Sequence, residues 1–213
     1  MKMSELTRLT GRLPCFDLPL LVQAFPDRRK AIRLQLSRWI AQGKIIALRR
    51  GMYTLADDRR RVPLDPAVLA QSLCRPSYLS GLWALGFYDM IPERVVTYTS
   101  VTTRLPAQFT NAFGTYEYRH IKPDAFFGYT EMAYGNSTIL VARPEKALLD
   151  HWHLATGEWT DHRLHEMRYQ NLGKVDRERL HDYGARFQRP RIQRAVERWV
   201  QHAEQAADEG MIL

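Results

Sequence analysis

Between residues 28 and 40, Ile32, Leu36, Trp39 and Ile40 fall at the i, i+4, i+7, i+8 spacing of one face of a helix. Asp27 stands where an N-cap belongs, and Gly43 supplies the residue that most easily takes the left-handed conformation ending a helix. Beyond it, residues 45–48 and 52–55 are rich in strand formers and are separated by Arg49, Arg50 and Gly51, as in a tight hairpin with a cationic tip. Upstream, residues 16–25 (FDLPLLVQAF) predict a short helix that Pro26 separates from the next one, which gives helix-turn-helix spacing. Residues 2–12 predict a first helix, with Leu6, Leu9 and Leu13 near one side. Helix, turn, helix and basic hairpin together outline a winged helix-turn-helix over residues 1–56.

The pattern then changes. Residues 57–66 (DDRRRVPLDP) have no apolar period and read as a linker. Asp65 and Pro66 are a good cap and first-turn pair for a helix over 67–73, which Pro76 ends, and Ser77 is placed to cap a largely buried helix over 77–87. Four β-branched and aromatic segments follow, at 94–101, 115–121, 126–134 and 137–142, with a hairpin turn at Tyr134, Gly135 and Asn136. Helical periodicity returns over 144–155, 161–170, 176–187 and 191–207. The expected fold class is α+β: an N-terminal winged helix-turn-helix domain, then a domain over 67–213 with a small antiparallel sheet framed by helices.

Charge sharpens this division. Of 31 Lys and Arg and 23 Asp and Glu, residues 1–61 hold 14 and 5, a net +9. The rest of the chain carries −1, so the whole +8 of the protein resides in its first third. A basic module beside a neutral one is the electrostatic footprint of nucleic-acid binding. At 100° per residue Lys30, Arg33, Leu34 and Ser37 point away from the apolar face, with Arg28 and Arg29 beside the helix start. Arg33 and Ser37 are therefore expected at base edges of duplex DNA with Lys30 flanking them, and Arg28, Arg29, Arg38, Arg49 and Arg50 on phosphates or in the minor groove. Arg59, Arg60 and Arg61 either extend this contact or belong to a solvated linker. No apolar run approaches the ~20 residues that span a bilayer, and the N-terminus lacks a signal peptide's apolar core, so a cytoplasmic location without membrane partners is expected. Cys15 and Cys74 have no second Cys or His at ligand spacing and read as reduced structural thiols.

Three motifs, SRWIAQGKIIALRRGMYTL at residues 37–55, PSYLSGLWALGFYDMIPE at 76–93 and VARPEKALLDHW at 141–152, stand in an order and spacing that resembles the AbiEi family of type IV antitoxins over nearly the whole chain. The resemblance implies a winged-helix regulator that represses its own operon by binding operator DNA, expected to carry inverted repeats. It also implies a second domain that neutralises a nucleotidyltransferase-type toxin encoded beside it. Residues 175–213 match the family least.

Rival chemistries leave few traces. A nucleotidyltransferase needs a Gly-Ser turn followed by paired acids that seat magnesium, and the chain contains no Gly-Ser pair. P-loop, Gly-x-Ser-x-Gly and Rossmann glycine patterns are absent as well, so no enzymatic activity and no cofactor are expected. The densest metal-like group is Asp150, His151, His153, Asp161, His162 and His165, but His151 and His153 on one helix point about 200° apart, and no metal is expected. Glu145 and Lys146 read as exposed residues of a helix start and so as potential toxin contacts, as do Arg163 and Arg168. The alternative is a ligand-responsive regulator without a toxin, its pocket formed by Tyr98, Tyr116, Tyr118, Phe126, Phe127, Tyr129 and Tyr134, although such alternating aromatics also suit cross-strand packing.

Overall fold

The computed structural model of the chain describes residues 1–26 and 28–210, with 207–210 described by their backbone. Its first elements are α1 (Met3–Thr10), β1 (Phe16–Asp17), α2 (Leu18–Ala24), α3 (Arg29–Ala41), β2 (Ile45–Arg49) and β3 (Met52–Leu55). The segment expected to be wholly helical from Phe16 begins instead as a strand: Phe16 pairs with Tyr53 and Asp17 with Met52, completing a three-stranded antiparallel sheet in the order β1-β3-β2. Asp17 then starts α2 by accepting a hydrogen bond from the Leu20 N–H at 3.0 Å. The expected cap of α3, Asp27, lies outside the described residues. Gly43, at φ +68°, takes the left-handed turn that the sequence assigns to it. Leu6, Phe16, Leu18, Leu21, Ile32, Leu36, Trp39, Ile45 and Leu55 close one apolar cluster. Ile40, expected on that face, is 37% exposed.

A larger core follows, built from α4 (Pro66–Leu73), β4 (Ser77–Leu79), α5 (Gly81–Phe87), β5 (Thr97–Thr102), β6 (Ala107–Asn111), β7 (Gly114–His120), β8 (Tyr129–Tyr134), β9 (Ser137–Ala142), α6 (Pro144–Leu154), α7 (Asp161–Glu166), α8 (Arg177–Arg186) and α9 (Pro190–Gly210). The small antiparallel sheet is thereby corrected to a six-stranded mixed sheet, ordered β6-β7-β5-β4-β9-β8. Its β5–β7 and β4–β9 pairs are parallel, and its β4–β5, β6–β7 and β8–β9 pairs are antiparallel. Two strands escape the sequence pattern. Ser77, expected to cap a helix, opens β4, a strand of three residues buried throughout, which is too short and too apolar to show alternation. α5 starts only after Ser80, where Gly81 turns the chain at φ +57°. β6, at the edge, has a weak apolar signal because its side chains are only partly covered.

The two clusters touch through the hairpin. Leu48 of β2 is buried in the larger core, and Cys15 and Met52 pack against it. Arg49 Nε donates to the Leu73 carbonyl at 2.7 Å, and Asn111 Nδ2 donates to the Leu48 carbonyl at 3.1 Å. The connecting stretch 57–66 is likewise anchored: the Arg60 side chain is 6% exposed, bonds the Leu55 carbonyl at 3.1 Å, and lies 5.7 Å from the Phe113 ring centre.

At the centre of the larger core lies a buried ion pair. Lys146 and Asp150, one turn apart on α6, are both 0% exposed and bond through Lys146 Nζ and Asp150 Oδ1. The other carboxylate oxygen accepts from Tyr78 Oη at 2.9 Å and Ser80 Oγ at 2.7 Å, which binds α6 to β4. The ammonium sits among the rings of Phe187, Phe127 and Tyr78 at 4.9, 5.1 and 5.6 Å. Burial lowers the Lys146 amine from its usual range while Asp150 opposes that shift, and burial with Asp150 raises the Tyr78 hydroxyl well above its ordinary value. Glu145 is 1% exposed and accepts from the Asp176 N–H at 2.8 Å and from Arg179 Nη1 at 3.3 Å. The expectation of exposed contacts at Glu145 and Lys146 is thus overturned, because these charges find partners on β4, on α8 and at its start.

Removing one partner of a buried pair strands the other, so Lys146→Met is expected to lower unfolding free energy by about 3 to 5 kcal/mol, measured by urea denaturation. A second expectation concerns acid. Burial, then the nearby Arg163, push His151 down to about 4 from 6.5, and its Nε2 is buried without a hydrogen-bond partner. The unfolded chain therefore takes up a proton below pH 6.5 that the folded chain refuses until about pH 4, and stability is lost as pH falls through that window. The urea midpoint should fall less steeply over that window in His151→Asn than in wild type.

Candidate nucleic-acid interface

α3 presents two unlike sides. Ile32, Leu36 and Trp39 are buried, whereas Lys30, Arg33, Leu34 and Ser37 are exposed on an arc of roughly 100°, Leu34 at 56%. Arg28, Arg29 and Arg38 are exposed too. The first turn of α3 holds no acidic residue, and Arg28, at the cap position, makes no side-chain cap bond. Among the described residues none of Arg28, Arg29, Lys30, Arg33 and Arg38 forms a side-chain hydrogen bond or ion pair. Three cations at the positive end of a helix dipole oppose folding, each by roughly 0.3 to 1 kcal/mol, and a phosphate placed there reverses the sign of that effect.

The hairpin splits its two arginines. Arg50 is exposed at the turn, next to Gly51 at φ +77°, and makes no side-chain bond or ion pair among the described residues. Arg49 faces the other way, with its guanidinium 5.6 Å from the Phe109 ring centre and bonded to the Leu73 and Arg50 carbonyls. A bulge between Ala47 and Arg49 turns this side chain toward β6. The structure therefore gathers Arg28, Arg29, Lys30, Arg33, Ser37 and Arg38 on α3 and its start, exposes Arg50 at the turn, and uses Arg49 as a tie between the two cores. Of the following run, Arg60 is turned inward and Arg59 pairs with Asp58 at 3.3 Å.

No three His, Cys, Asp or Glu side chains gather as metal ligands among the described residues. Of the His-rich group, Asp150 belongs to the buried pair, His162 lies 3.7 Å from Glu166, and His165 contacts the His202 ring at 5.5 Å. Asp176 and Glu178 have the Asp-x-Glu spacing of a metal-holding pair, but they open α8 rather than lie on a strand, and Asp176 caps that helix through the Arg179 N–H. The strand aromatics divide: Tyr116 and Tyr118 are fully buried, while Phe126 and Tyr129 line a cavity of about 570 Å³ with Arg75, Arg104 and Glu131. No helix among the described residues is long and apolar enough to cross a membrane.

Models of known protein families give no match to this chain, and comparison with curated proteins gives none either.

The different settings of the two hairpin arginines predict different effects of their loss. Arg49→Ala should lower the thermal unfolding midpoint, since the Leu73 carbonyl loses its donor at the junction, at a cost of about 1 to 3 kcal/mol. Arg50→Ala should leave the midpoint where it is, and scanning calorimetry of the two variants checks the contrast.

Proposed function

We propose that the chain is a DNA-binding transcriptional repressor of its own operon that also neutralises a nucleotidyltransferase-type toxin encoded beside it. In this reading residues 1–56 are a winged helix-turn-helix domain, α3 is its recognition helix, and the β2–β3 hairpin is its wing. The observation that carries the DNA-binding part is the row of cations at the start and along the outer side of α3, none with an ion-pair partner among the described residues; the helix dipole disfavours those of the first turn unless an anion is bound. The succession α2, α3 and a short antiparallel sheet ending in Arg50 and Gly51 supports it. Arg33 and Ser37 read base edges, Lys30 flanks them, and Arg28, Arg29, Arg38 and Arg50 hold phosphates or the minor groove.

The antitoxin part rests on the motif order that resembles the AbiEi family, and it assigns that work to residues 67–213, with 57–66 as the connection. The nearly neutral net charge of this portion supports a task other than holding the DNA backbone. Its probes are the exposed Arg168 and the half-buried Arg163, not Glu145 or Lys146, whose charges are buried. The alternative, a ligand-responsive regulator without a toxin, is favoured by the cavity beside Phe126 and Tyr129, whose 570 Å³ lies within the range of small-molecule sites. A thermal shift with a metabolite panel, and none with the toxin, would select it.

Retardation of the DNA upstream of the gene tests the first part. Arg33→Ala should cost about 1 to 3 kcal/mol of specific binding and relax sequence choice, whereas Arg28→Ala should weaken all sequences alike and flatten the salt dependence. Equal retardation by wild type and an Arg28→Ala, Arg33→Ala, Arg50→Ala variant would reject the interface. The same full-length variant, co-expressed with the product of the neighbouring gene, should still rescue growth if the two tasks are separate. Loss of both together would show that they are not.

A further inference from the structure

α8 ends and α9 begins around a cavity of about 230 Å³, well away in sequence from the interface on α3. Its lining includes Lys122, Arg186 and Arg189, and Asp124 is the one carboxylate among the described residues that line it. None of these four side chains enters an ion pair among the described residues, although the Arg186 guanidinium lies 3.5 Å from the Phe127 ring centre. His153 also lines the cavity, and its Nδ1 is buried with no hydrogen-bond partner. An orphaned ring nitrogen beside three exposed cations that have no ion-pair partner among the described residues leaves a polar group of the cavity wall unsatisfied by the fold.

Two further features give the cavity its sign. Burial is the main cause that holds His153 down to about 4, and Arg189, Lys146, Arg191 and Lys122 push it the same way, as nearby positive charges do. α9 is a 21-residue helix that starts at Pro190, so the positive end of its dipole adjoins Arg189. Phe187 forms part of the wall, 5.1 Å from the His153 ring and 4.9 Å from Lys146 Nζ. The volume falls below the roughly 300 to 1,000 Å³ of sites that enclose a whole small molecule, and suits a short phosphate chain whose remainder stays outside.

We propose that this cavity binds the phosphate groups of a small phosphorylated molecule, with Lys122, Arg186 and Arg189 as charge partners and His153 Nδ1 as a hydrogen-bonding partner. The site is separate from the α3 interface and does not depend on DNA being the ligand there. Its occupant adjoins Phe187 and through it the buried Lys146, so binding should stiffen the core as well as fill the surface.

Titration calorimetry of the full chain with pyrophosphate and with a nucleoside triphosphate tests the site. Wild type should bind, a Lys122→Gln, Arg189→Gln variant with unchanged unfolding midpoint should bind at least roughly tenfold more weakly, and an Arg28→Gln, Arg33→Gln variant should bind as wild type does. Tighter binding of the nucleoside triphosphate supports the site and identifies a nucleotide as the source of the phosphate, while equal binding supports it with the phosphate chain as the whole determinant. Absence of heat with both ligands at millimolar concentration, or equal affinity in wild type and the Lys122→Gln, Arg189→Gln variant, overturns it.

Discussion

The larger core depends on a pair of charges that it holds out of water. Lys146 and Asp150 lie one turn apart on α6, and neither would tolerate full burial alone, since an isolated ion in an apolar interior costs many kcal/mol. Each is satisfied by groups that arrive from elsewhere: Tyr78 Oη and Ser80 Oγ from β4 and the turn after it, and the rings of Phe127 and Phe187 from the segments before β8 and after α8. The pair thus fixes where α6 sits against the centre of the sheet. Gly128 shows how closely: a Cβ there would come within 3.0 Å of Lys146 Cγ and 2.8 Å of Tyr183. Such a network adds little net stability over an apolar equivalent, but it penalises every packing in which one of its members lacks a partner.

A second constraint joins the two cores. Leu48 leaves the hairpin's own cluster to enter the larger one, and Arg49 follows it to the Leu73 carbonyl. The hairpin therefore has two faces with different duties, one closing the first cluster through Ile45 and Leu55 and one docking on α4 and β6. In the proposed reading, a wing held in this way gives α3 and Arg50 a fixed relation to the second portion of the chain, so that a ligand or partner there could bias the DNA-binding surface.

The C-terminal helices, which the sequence leaves without a role, close the structure around α6. Arg191 at the start of α9 donates to the carbonyls of Trp152, His153, Ala155 and Gly157, satisfying groups left free where α6 ends. α9 then buries Ile192, Ala195, Val196, Trp199 and Ala203. These same helices frame the cationic cavity, so their packing role does not exhaust them.

What the sequence determined by itself was local. Helical spacing identified α3 and its buried side, Asp65 and Pro66 started α4, and Gly43 and Gly135 marked turns that take positive φ. Charge along the chain isolated the basic first third, because net charge needs no coordinates. The tertiary structure decided what depends on distant partners. Parallel pairing of β4 with β9 joins residues about sixty apart, and a short buried strand such as β4 carries no period to distinguish it from a helix start. The same holds for charge burial: in the sequence Glu145, Lys146 and Arg49 look like surface residues, since polar side chains are buried only when partners meet them. Those partners, Arg179, Asp150 with Tyr78 and Ser80, and the Leu73 carbonyl, are brought by the fold, for Lys146 even though Asp150 stands on its own helix, because β4 and the turn after it complete the carboxylate's bonds.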